Sequence, residues 1–600
     1  MRQFFKFFLA SLLALLVAGV LFVMVFSAII GSFSKSISGA FPAGKPTENS
    51  DANSNSILYV DIREEYHELG EANSFALFVG GKQRTTGLLD LLRCIKYAKN
   101  DGKVKGIYLK LGGTPNGLAT LQQIREALKD FKTSGKFVYA YGDDIPQRDY
   151  YVASVADSVF INPLGSVELK GLASNLAYFK GALDKLDVKP EIFYCGQFKS
   201  ATEPFRMEKM SDPNRKQLAY MQSGVWQQML GAFAEHTKAD TATINGWAQA
   251  FAVRNGSDAL RYHLADGKRY KDEMETLLRK KAGFSEKEKI NFAMPATYIK
   301  SVSEASEANK VAVLVAEGEI VDGESESSSY QIASDNFIKE IRNVRDNDDI
   351  KAVVMRVNSP GGSALASEII LRELQLLKNK KPLVVSMGDL AASGGYYISC
   401  QADSIFALEN TITGSIGVFG MMFNTQDFFN KKLGVTFDGE KNAPYADFPN
   451  LNRPMTDVEK QIMQAGVDSI YLTFKSRVAA GRKKDMAYID SIGQGRIWTG
   501  IAALQNGLID AIGGLDRAVK SAAAIAKLNS YTTVNYPEVE DKMEKILKLL
   551  GTNGARERLL AEQVLEHEMG KDYKWFRLLR SMQQQRSHLW MMMPVVPEIY

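Results

Sequence analysis

The chain of 600 residues is too long for one hydrophobic core, since single cores stop growing at about 250–300 residues, and we expect several domains. Its hydrophobic content of 45% is ordinary for globular protein. A net charge of +4 argues against nucleic acid as the main partner. Three widely spaced cysteines and five scattered histidines indicate neither a disulfide framework nor a metal site, and no phosphate-binding P-loop motif occurs. We therefore expect no metal and no cofactor.

The N-terminal segment predicts a membrane anchor. Residues 7–30 carry no charge, and as a helix they would extend about 36 Å, enough to cross a hydrocarbon core of about 30 Å. A cleaved signal peptide has a shorter apolar stretch, so an uncleaved anchor is favoured, with cleavage near residue 28 as the alternative. Arg2 and Lys6 predict a cytoplasmic N-terminus and a body on the other side of the membrane. The Ser-, Gly-, Pro- and Asn-rich residues 31–56 are typical of a flexible tether.

The folded body repeats itself at an almost constant offset. The sequence "VKGIYLKL" at 104–111 corresponds to "IKAVVMRV" at 350–357, and "YYVASVADSVF" at 150–160 corresponds to "YYISCQADSIF" at 396–406. Both pairs are 246 residues apart. Such a long offset predicts a tandem duplication rather than a short-period solenoid.

Within each repeat, β-rich runs alternate with helical patterns. This order predicts an α/β fold with parallel strands and right-handed crossovers, with functional loops at the carboxyl ends of the strands. The predicted parts are a membrane anchor at 1–30, a tether at 31–56, a first repeat at 57–305, a second repeat at 306–538 and a C-terminal helical tail at 539–600.

The two repeats differ where a strand gives way to a helix. In the second repeat the strand-like "KPLVVSM" leads into "DLAASGGYY" at 389–397, which predicts a tight turn with Ser393 at its tip. The first repeat has Gln147 at the matching position. The preceding loop differs as well, with "NSPGGS" at 358–363 against "GGTPNG" at 112–117. The second repeat alone therefore carries a candidate serine nucleophile.

Glycines in these two loops predict an oxyanion hole. Gly361 and Gly362 would let backbone N–H groups approach a substrate, and Gly394 would offer another N–H at a helix start. Plain glycine turns are the alternative for either loop alone. Two such loops on one predicted sheet edge, one of them holding a serine, favour catalysis.

A base for Ser393 is harder to find from the residues. The G-x-S-x-G motif of α/β-hydrolases is absent, and no histidine lies in a loop near the predicted edge. A desolvated lysine can serve instead, and Lys199 in "EIFYCGQFKSATEPF" lies among aromatic and small residues, roughly opposite Ala446 of the second repeat. The residues alone do not distinguish Lys199 from an ordinary surface lysine, because most lysines are solvated.

Four motifs occur in order: "GQFKSATEPF", "NSPGGS", "DLAASGGYYIS" and "TGSIGV". With them the chain closely resembles the signal peptide peptidase A family, in its long, tandem-domain, membrane-anchored form. The resemblance implies two copies of the Clp protease/crotonase superfold, built from repeated ββα-type units and preceded by one transmembrane helix. It implies a serine endopeptidase in which Ser393 attacks, Lys199 is the base and Ser415 helps to orient the lysine.

The resemblance also implies partners and location. It implies a homotetramer on the bacterial inner membrane, with the catalytic body on the periplasmic side, that degrades cleaved signal peptides. Three alternatives stay open: a crotonase-type acyl-CoA enzyme, a non-catalytic membrane scaffold, and a peptidase acting on folded or membrane proteins. For the apolar "LWMMMPVVP" at 589–597 we favour burial against the body over a subunit or membrane contact.

Overall fold

The computed structural model describes residues 55–71, 85–302, 307–325, 330–538 and 589–592. Within these ranges no helix is both long and apolar enough to cross a membrane. The predicted anchor at 1–30 and nearly all of the predicted tether lie outside the described residues.

The first half forms a sheet of parallel strands covered by helices. In helix Leu118–Lys132, for example, Leu121, Ile124, Leu128 and Phe131 recur every three or four residues and are all buried. The strands of this half are β1 (Ser56–Asp61), β2 (Val104–Lys110), β3 (Phe137–Gly142), β4 (Ser158–Ile161), β5 (Lys189–Cys195), β6 (Gly267–Lys268) and β7 (Phe292–Ala293). The helices are α1 (Leu88–Asn100), α2 (Leu118–Lys132), α3 (Gln147–Ala153), α4 (Lys180–Lys185), α5 (Glu203–Arg206), α6 (Asp212–Thr237), α7 (Thr241–Gln249), α8 (Gly256–Arg261), α9 (Lys271–Ala282) and α10 (Pro295–Tyr298). The sheet order is β6-β4-β3-β2-β1-β7, and β5 belongs to a different sheet.

The second half repeats this plan. Its strands are β8 (Lys310–Glu317), β9 (Glu319–Val321), β10 (Gln331–Ala333), β11 (Ile350–Ser359), β12 (Gly361–Ser363), β13 (Leu383–Ala392), β14 (Ser404–Ala407), β15 (Ile412–Gly414), β16 (Val418–Asn424), β17 (Ile497–Thr499), β18 (Ala511–Ile512) and β19 (Thr532–Tyr536), followed by β20 (Leu589–Met592). The helices are α11 (Ser334–Asp346), α12 (Ala364–Lys378), α13 (Gly394–Ser399), α14 (Asp457–Arg482), α15 (Met486–Ile492), α16 (Gly500–Gln505) and α17 (Leu515–Ile525). The main path of the sheet is β17-β15-β13-β11-β8-β19, and β14 pairs with β13 and β18.

Two matching pairs of helices have equal lengths, and one of these pairs has equivalent N-caps. Helices α2 and α12 both have 15 residues, and α6 and α14 both have 26. The N-cap side chain of α6 is Ser211 and that of α14 is Thr456, and each accepts a hydrogen bond from a backbone N–H three residues on. The duplication read from the sequence is therefore also present in the local structure.

A third sheet joins the halves, in the order β10-β9-β12-β20-β16-β5. Strand β5 of the first half runs antiparallel to β16 of the second, from Lys189 opposite Asn424 to Cys195 opposite Val418. The C-terminal strand β20 lies between β12 and β16. The prediction of a helical tail is wrong for residues 589–592, because pairing with strands on both edges holds this backbone extended.

Polar contacts outside this sheet also join the halves. The buried side chains of Arg356 and Glu68 form an ion pair at 2.9 Å. The carboxylate of Asp389 accepts hydrogen bonds from the N–H groups of Ala119 and Thr120 at the start of α2. Removing one member of a buried ion pair leaves an uncompensated charge, so these contacts fix how the halves meet.

Candidate active site

Ser393 lies on a strained turn between β13 and α13. Its φ is +56° and its ψ is −115°, a region that residues other than glycine rarely adopt. Its N–H donates to the carbonyl of Gly414 at 2.8 Å, and its own carbonyl accepts the N–H of Tyr397 at 2.8 Å. The residue is 0% exposed. These bonds hold the backbone of Ser393 in place at the end of β13.

Lys199 follows β5 after a tight turn. Gly196 has a φ of +98°, and its carbonyl accepts the N–H of Lys199 at 3.1 Å. Although lysine is among the least often buried residue types, Lys199 is only 1% exposed. The pairing of β5 with β16 therefore places a buried lysine of the first half against the second half.

The ε-amine of Lys199 contacts two serines. Its Nζ lies 2.9 Å from Ser393 Oγ, 3.0 Å from Ser415 Oγ and 3.2 Å from the carbonyl oxygen of Ser415. Burial lowers the pKa of Lys199 well below its ordinary value, because the charged form loses its hydration. A neutral amine has two N–H groups and one lone pair, which matches donation to Ser415 twice and acceptance of the Ser393 hydroxyl proton.

Ser415 lies on a second strained turn, between β15 and β16. Its φ is +51°, and its N–H donates to the carbonyl of Arg496 at 2.7 Å. The residue is 0% exposed. The structure thus brings Ser393, Lys199 and Ser415 together from three separate turns.

Residues 494–496, for which the sequence analysis predicted no role, contact the turn that carries Lys199. The carbonyl of Gln494 accepts the N–H of Phe198 at 2.9 Å. Gly495 has a φ of +74°, and a Cβ at this position would lie 2.7 Å from the nitrogen and 2.8 Å from the Cα of Lys199. Glycine is required here for both backbone conformation and close approach. The only feature of the sequence that points to this role is a glycine on either side of Gln494, and such glycines are common in loops.

Gln217 on α6 is a second residue that sequence reasoning missed. Its Nε2 donates to the carbonyl of Phe198 at 3.1 Å and to Ser200 Oγ at 3.2 Å, on both sides of the lysine. Ser200, the neighbouring serine, is therefore hydrogen-bonded to Gln217. Nothing in the helical pattern of α6 distinguishes this glutamine from others. Ala446 is exposed in the structure and is absent from the lysine's contacts.

The predicted oxyanion glycines lie on adjoining elements. Gly361 and Gly362 form β12 with φ values of +99° and +155°, and Gly394 is the first residue of α13. A Cβ on Gly395 would come 2.8 Å from the carbonyl oxygen of Ser359, so α13 packs directly against the end of β11. The N–H of Gly361 donates to Ser359 Oγ at 3.1 Å, and Gly362 pairs with Ile320 of β9 and Met591 of β20.

Comparison with known proteins assigns the chain to a family. The model of "Peptidase family S49" matches twice, at residues 130–285 and 375–529. "Protease 4" of Salmonella typhi is 36% identical over 82% of this chain and 80% of its own length, and "Protease 4" of Haemophilus influenzae is 35% identical over 80% of each. "Serine protease SPPA, chloroplastic" of Arabidopsis thaliana is 28% identical over 76% of this chain and 68% of its own. The chain belongs to peptidase family S49.

This confirms the resemblance to the signal peptide peptidase A family and makes the protein a serine peptidase. The two family matches also confirm the tandem repeat. A crotonase-type enzyme and a non-catalytic scaffold are thereby set aside. A solved ClpP1 mutant from Listeria monocytogenes aligns with 35% of this chain and 94% of its own, at 14% identity and a TM-score of 0.23, too loosely to carry an argument.

Proposed function

We propose that this serine peptidase works with a Ser–Lys dyad split between its two halves, Ser393 being the nucleophile and Lys199 the base. The observation that carries the proposal is the distance of 2.9 Å between Lys199 Nζ and Ser393 Oγ, with both side chains buried. A lysine can act as a base only when it is neutral. Burial favours the neutral amine, which supports this role for Lys199.

In the first half of the reaction, Lys199 takes the hydroxyl proton while Ser393 Oγ attacks the peptide carbonyl. Ser415 accepts the two N–H groups of the amine, which directs the lone pair at Ser393. Negative charge develops on the carbonyl oxygen, and the N–H groups of Gly362 and Gly394, with Gly361 beside them, stabilise it. The protonated lysine then gives its proton to the leaving amine, and an acyl-enzyme remains.

In the second half of the reaction, neutral Lys199 removes a proton from a water molecule, which attacks the ester of Ser393. The same backbone N–H groups stabilise the second oxyanion. Lys199 returns its proton to Ser393 Oγ as the ester breaks.

Labelling with a serine-directed phosphonate tests the assignment without a known substrate. We expect one labelled peptide from the folded protein, containing Ser393, and no label in Ser393→Ala. Ser200→Ala is the matched control, because Ser200 lies beside the lysine but bonds to Gln217. Label on another serine in the native protein would show that the nucleophile is a different residue.

The substrates that we propose are signal peptides and similar apolar peptides, cleaved at the outer face of the bacterial inner membrane. Two features support this: the uncharged residues 7–30 and 35% identity over 39% of this chain to an Enterococcus faecium protein named as a signal peptide peptidase. Protease added to spheroplasts should digest the body, and a purified chain should start before residue 28. Protection of the body, or a mature N-terminus near residue 28, would contradict the proposed topology.

We also propose that the protein forms a ring of identical subunits, a homotetramer by family resemblance. Within the chain β5 pairs with β16. The segment that corresponds to β5 in the second half lies near 435–441, and the segment that corresponds to β16 in the first half is 172–178. Neither segment forms a strand. In the first of these, Val435 and Phe437 are 44% and 47% exposed. Pairing of residues 435–441 with residues 172–178 of the next subunit would repeat the contact between the halves and close a ring.

Light scattering tests this assembly. Val435→Asp with Phe437→Asp should shift the native mass toward that of one chain, because a strand pair with two buried charges is unfavourable. Leu164→Asp is the control, because Leu164 is 96% exposed and lies outside both segments. An unchanged mass in the double variant would contradict the proposed contact.

A further inference from the structure

A network of three buried polar side chains, Glu203, Asn214 and Gln217, runs from α5 along the first turns of α6. The carboxylate of Glu203 accepts hydrogen bonds from the N–H and hydroxyl groups of Ser211 and from Asn214 Nδ2, the last at 2.9 Å. The Oδ1 atom of Asn214 accepts a hydrogen bond from Gln217 Nε2 at 3.0 Å. A carboxylate and two amides are therefore joined in series within the protein interior.

The carboxylate sets the orientation of both amides. Because a carboxylate only accepts hydrogen bonds, Asn214 must turn its NH2 group toward Glu203 and its oxygen toward Gln217. That oxygen in turn requires the NH2 group of Gln217, whose Oε1 then accepts the N–H of Ile497 on β17 at 3.4 Å. Reversing either amide would place two donors or two acceptors against each other. Glu203 thus determines which atom of Gln217 faces the candidate active site.

The Gln217 end of the network holds both neighbours of the lysine. Besides its contact with α6, Gln217 Nε2 lies 3.1 Å from the carbonyl oxygen of Phe198 and 3.2 Å from Ser200 Oγ. With the amide reversed, Gln217 Oε1 would face the Phe198 carbonyl and repel it. The backbone of Lys199 lies between these two anchored residues, so the network fixes the turn from which Nζ reaches Ser393 Oγ.

The equivalent helix of the second half has different residues at these places. In α14 the residue matching Asn214 is Glu459, and the residue matching Gln217 is Ile462. Glu459 is buried and its carboxylate binds Arg453, whereas Ile462 is 46% exposed. A helix start of this kind therefore does not need the amide pair. The network occurs in the half that supplies the lysine.

We propose that Glu203 is a positioning residue for the Lys199 base, acting through Asn214 and Gln217 on the turn that carries the lysine. This rests on the proposed function in that Lys199 is taken to be the base. Because the network orders the turn before a peptide binds, its loss should slow the chemical step and leave binding intact. The alternative is a purely structural role in which Glu203 supports the start of α6.

Glu203→Gln tests the proposal, because it keeps the size of the side chain but adds an NH2 group that reverses the two amides. For a reporter peptide, at a temperature where the protein is fully folded, we expect kcat to fall by about 10–100-fold with KM nearly unchanged. Glu459→Gln is the matched control, since it removes a buried carboxylate from the equivalent end of α14 and should lower Tm with kcat near native. A native kcat in Glu203→Gln, or equal losses of kcat in the two variants, would overturn the proposal.

A second substitution should restore the rate. In Glu203→Gln with Asn214→Asp the new amide donates to the new carboxylate, which again presents an oxygen to Gln217 Nε2. We expect this double variant to recover most of the lost kcat, an outcome that a loss of charge at position 203 alone does not predict. A folded double variant that stays as slow as Glu203→Gln would overturn the proposal.

Gln217→Met keeps the inference testable if Glu203→Gln does not fold. It leaves the contact between Glu203 and Asn214 in place and removes only the bonds to the lysine turn, so kcat should fall at nearly native KM. A native kcat in folded Gln217→Met would overturn the proposal. Turnover by a Lys199→Met protein would instead contradict the proposed base, and that result is independent of the Glu203 variants.

Discussion

The loop after β2 and the loop after β11 occupy equivalent places in the two halves. The hydrogen-bond partners available to their backbone N–H groups differ. In the first half the N–H groups of Gly112, Gly113 and Thr114 all donate to the carboxylate of Asp149, at 2.8, 3.1 and 2.9 Å. In the second half the residue matching Asp149 is Gly395, which has no side chain to offer. The first loop is therefore filled by the carboxylate of Asp149, whereas Gly395 cannot supply a carboxylate to the second loop.

The turns that lead into α3 and α13 also differ between the halves. Gln147 is the first residue of α3, and its Nε2 donates to the carbonyl of Gly171. At the matching position Ser393 has a φ of +56° and contacts Lys199. Strain of about 1–3 kcal/mol at such a residue persists only where the surrounding structure enforces it. The comparison teaches that one copy uses this place for hydrogen bonds within its own half, whereas the other, under the proposed mechanism, uses it for chemistry.

The largest expected effect is that of Ser393→Ala on peptide hydrolysis. If Ser393 is the nucleophile, kcat should fall by roughly 10⁴-fold or more, as in other hydrolases that act through a serine. Thermal unfolding should shift little, because only one oxygen is lost. Ser200→Ala should keep much of the native activity. Turnover in a purified Ser393→Ala protein would remove the proposed difference between the halves.

Lys199→Arg should reduce kcat nearly as much, since a guanidinium group does not release its proton. The double variant with Ser393→Ala should be little worse than either single variant, because the two residues act as one unit. Losses that multiply would point to another base for the serine.

The pH dependence follows from the lowered pKa of Lys199. Activity of the native enzyme should rise with pH through an ionisation well below the ordinary lysine value of about 10.4. At pH values between the lowered pKa of Lys199 in the folded chain and its ordinary value, the unfolded chain binds a proton that the folded chain does not. The free energy of unfolding therefore rises with pH in this range. Lys199→Met should remove this slope. A profile without a rising limb below pH 10 would mean that Lys199 is not the base.

Gly495→Ala should have an intermediate effect. The new methyl group would press on the backbone of Lys199, and a shift of about 1 Å in a catalytic group can cost about 100-fold in rate. Gly507→Ala is a matched control, because its φ of +69° is similar and the nearest atom is the end of Lys484. Both variants should lose some stability, but only Gly495→Ala should lose most of its kcat. Equal kcat values would mean that Gly495 does not position the lysine.

The smallest effect on activity is expected from Asp149→Ala. Three backbone N–H groups would lose a charged acceptor, and the free energy of unfolding should fall by about 2–3 kcal/mol. The kcat should stay close to native, because Asp149 belongs to the half without the serine. Chemical denaturation and peptide hydrolysis would measure the two quantities. A large loss of kcat without loss of stability would show that the first loop also serves catalysis.

Much of the fold could be predicted from the chain. The offset of 246 residues predicted which elements correspond, and the matched lengths of α2 and α12 agree with it. Strand–turn–helix patterns around Ser393 predicted its turn, because glycines and apolar runs act locally. The C-terminal strand was missed, because "LWMM" has no partner nearby in sequence and its extended form depends on β12 and β16.

The sequence by itself determined the repeat, the alternation of strands and helices and the loss of the serine from the first half, since all of these follow from local periodicity and direct comparison of the copies. Only the tertiary structure decided that Lys199 reaches Ser393 across 194 residues, that Gly495 and Gln217 hold the lysine turn, and that Asp149 fills the first loop. The physical reason is that burial and close approach depend on which surfaces meet. A lysine becomes a candidate base when packing removes its water, and no residue pattern around Lys199 specifies that packing.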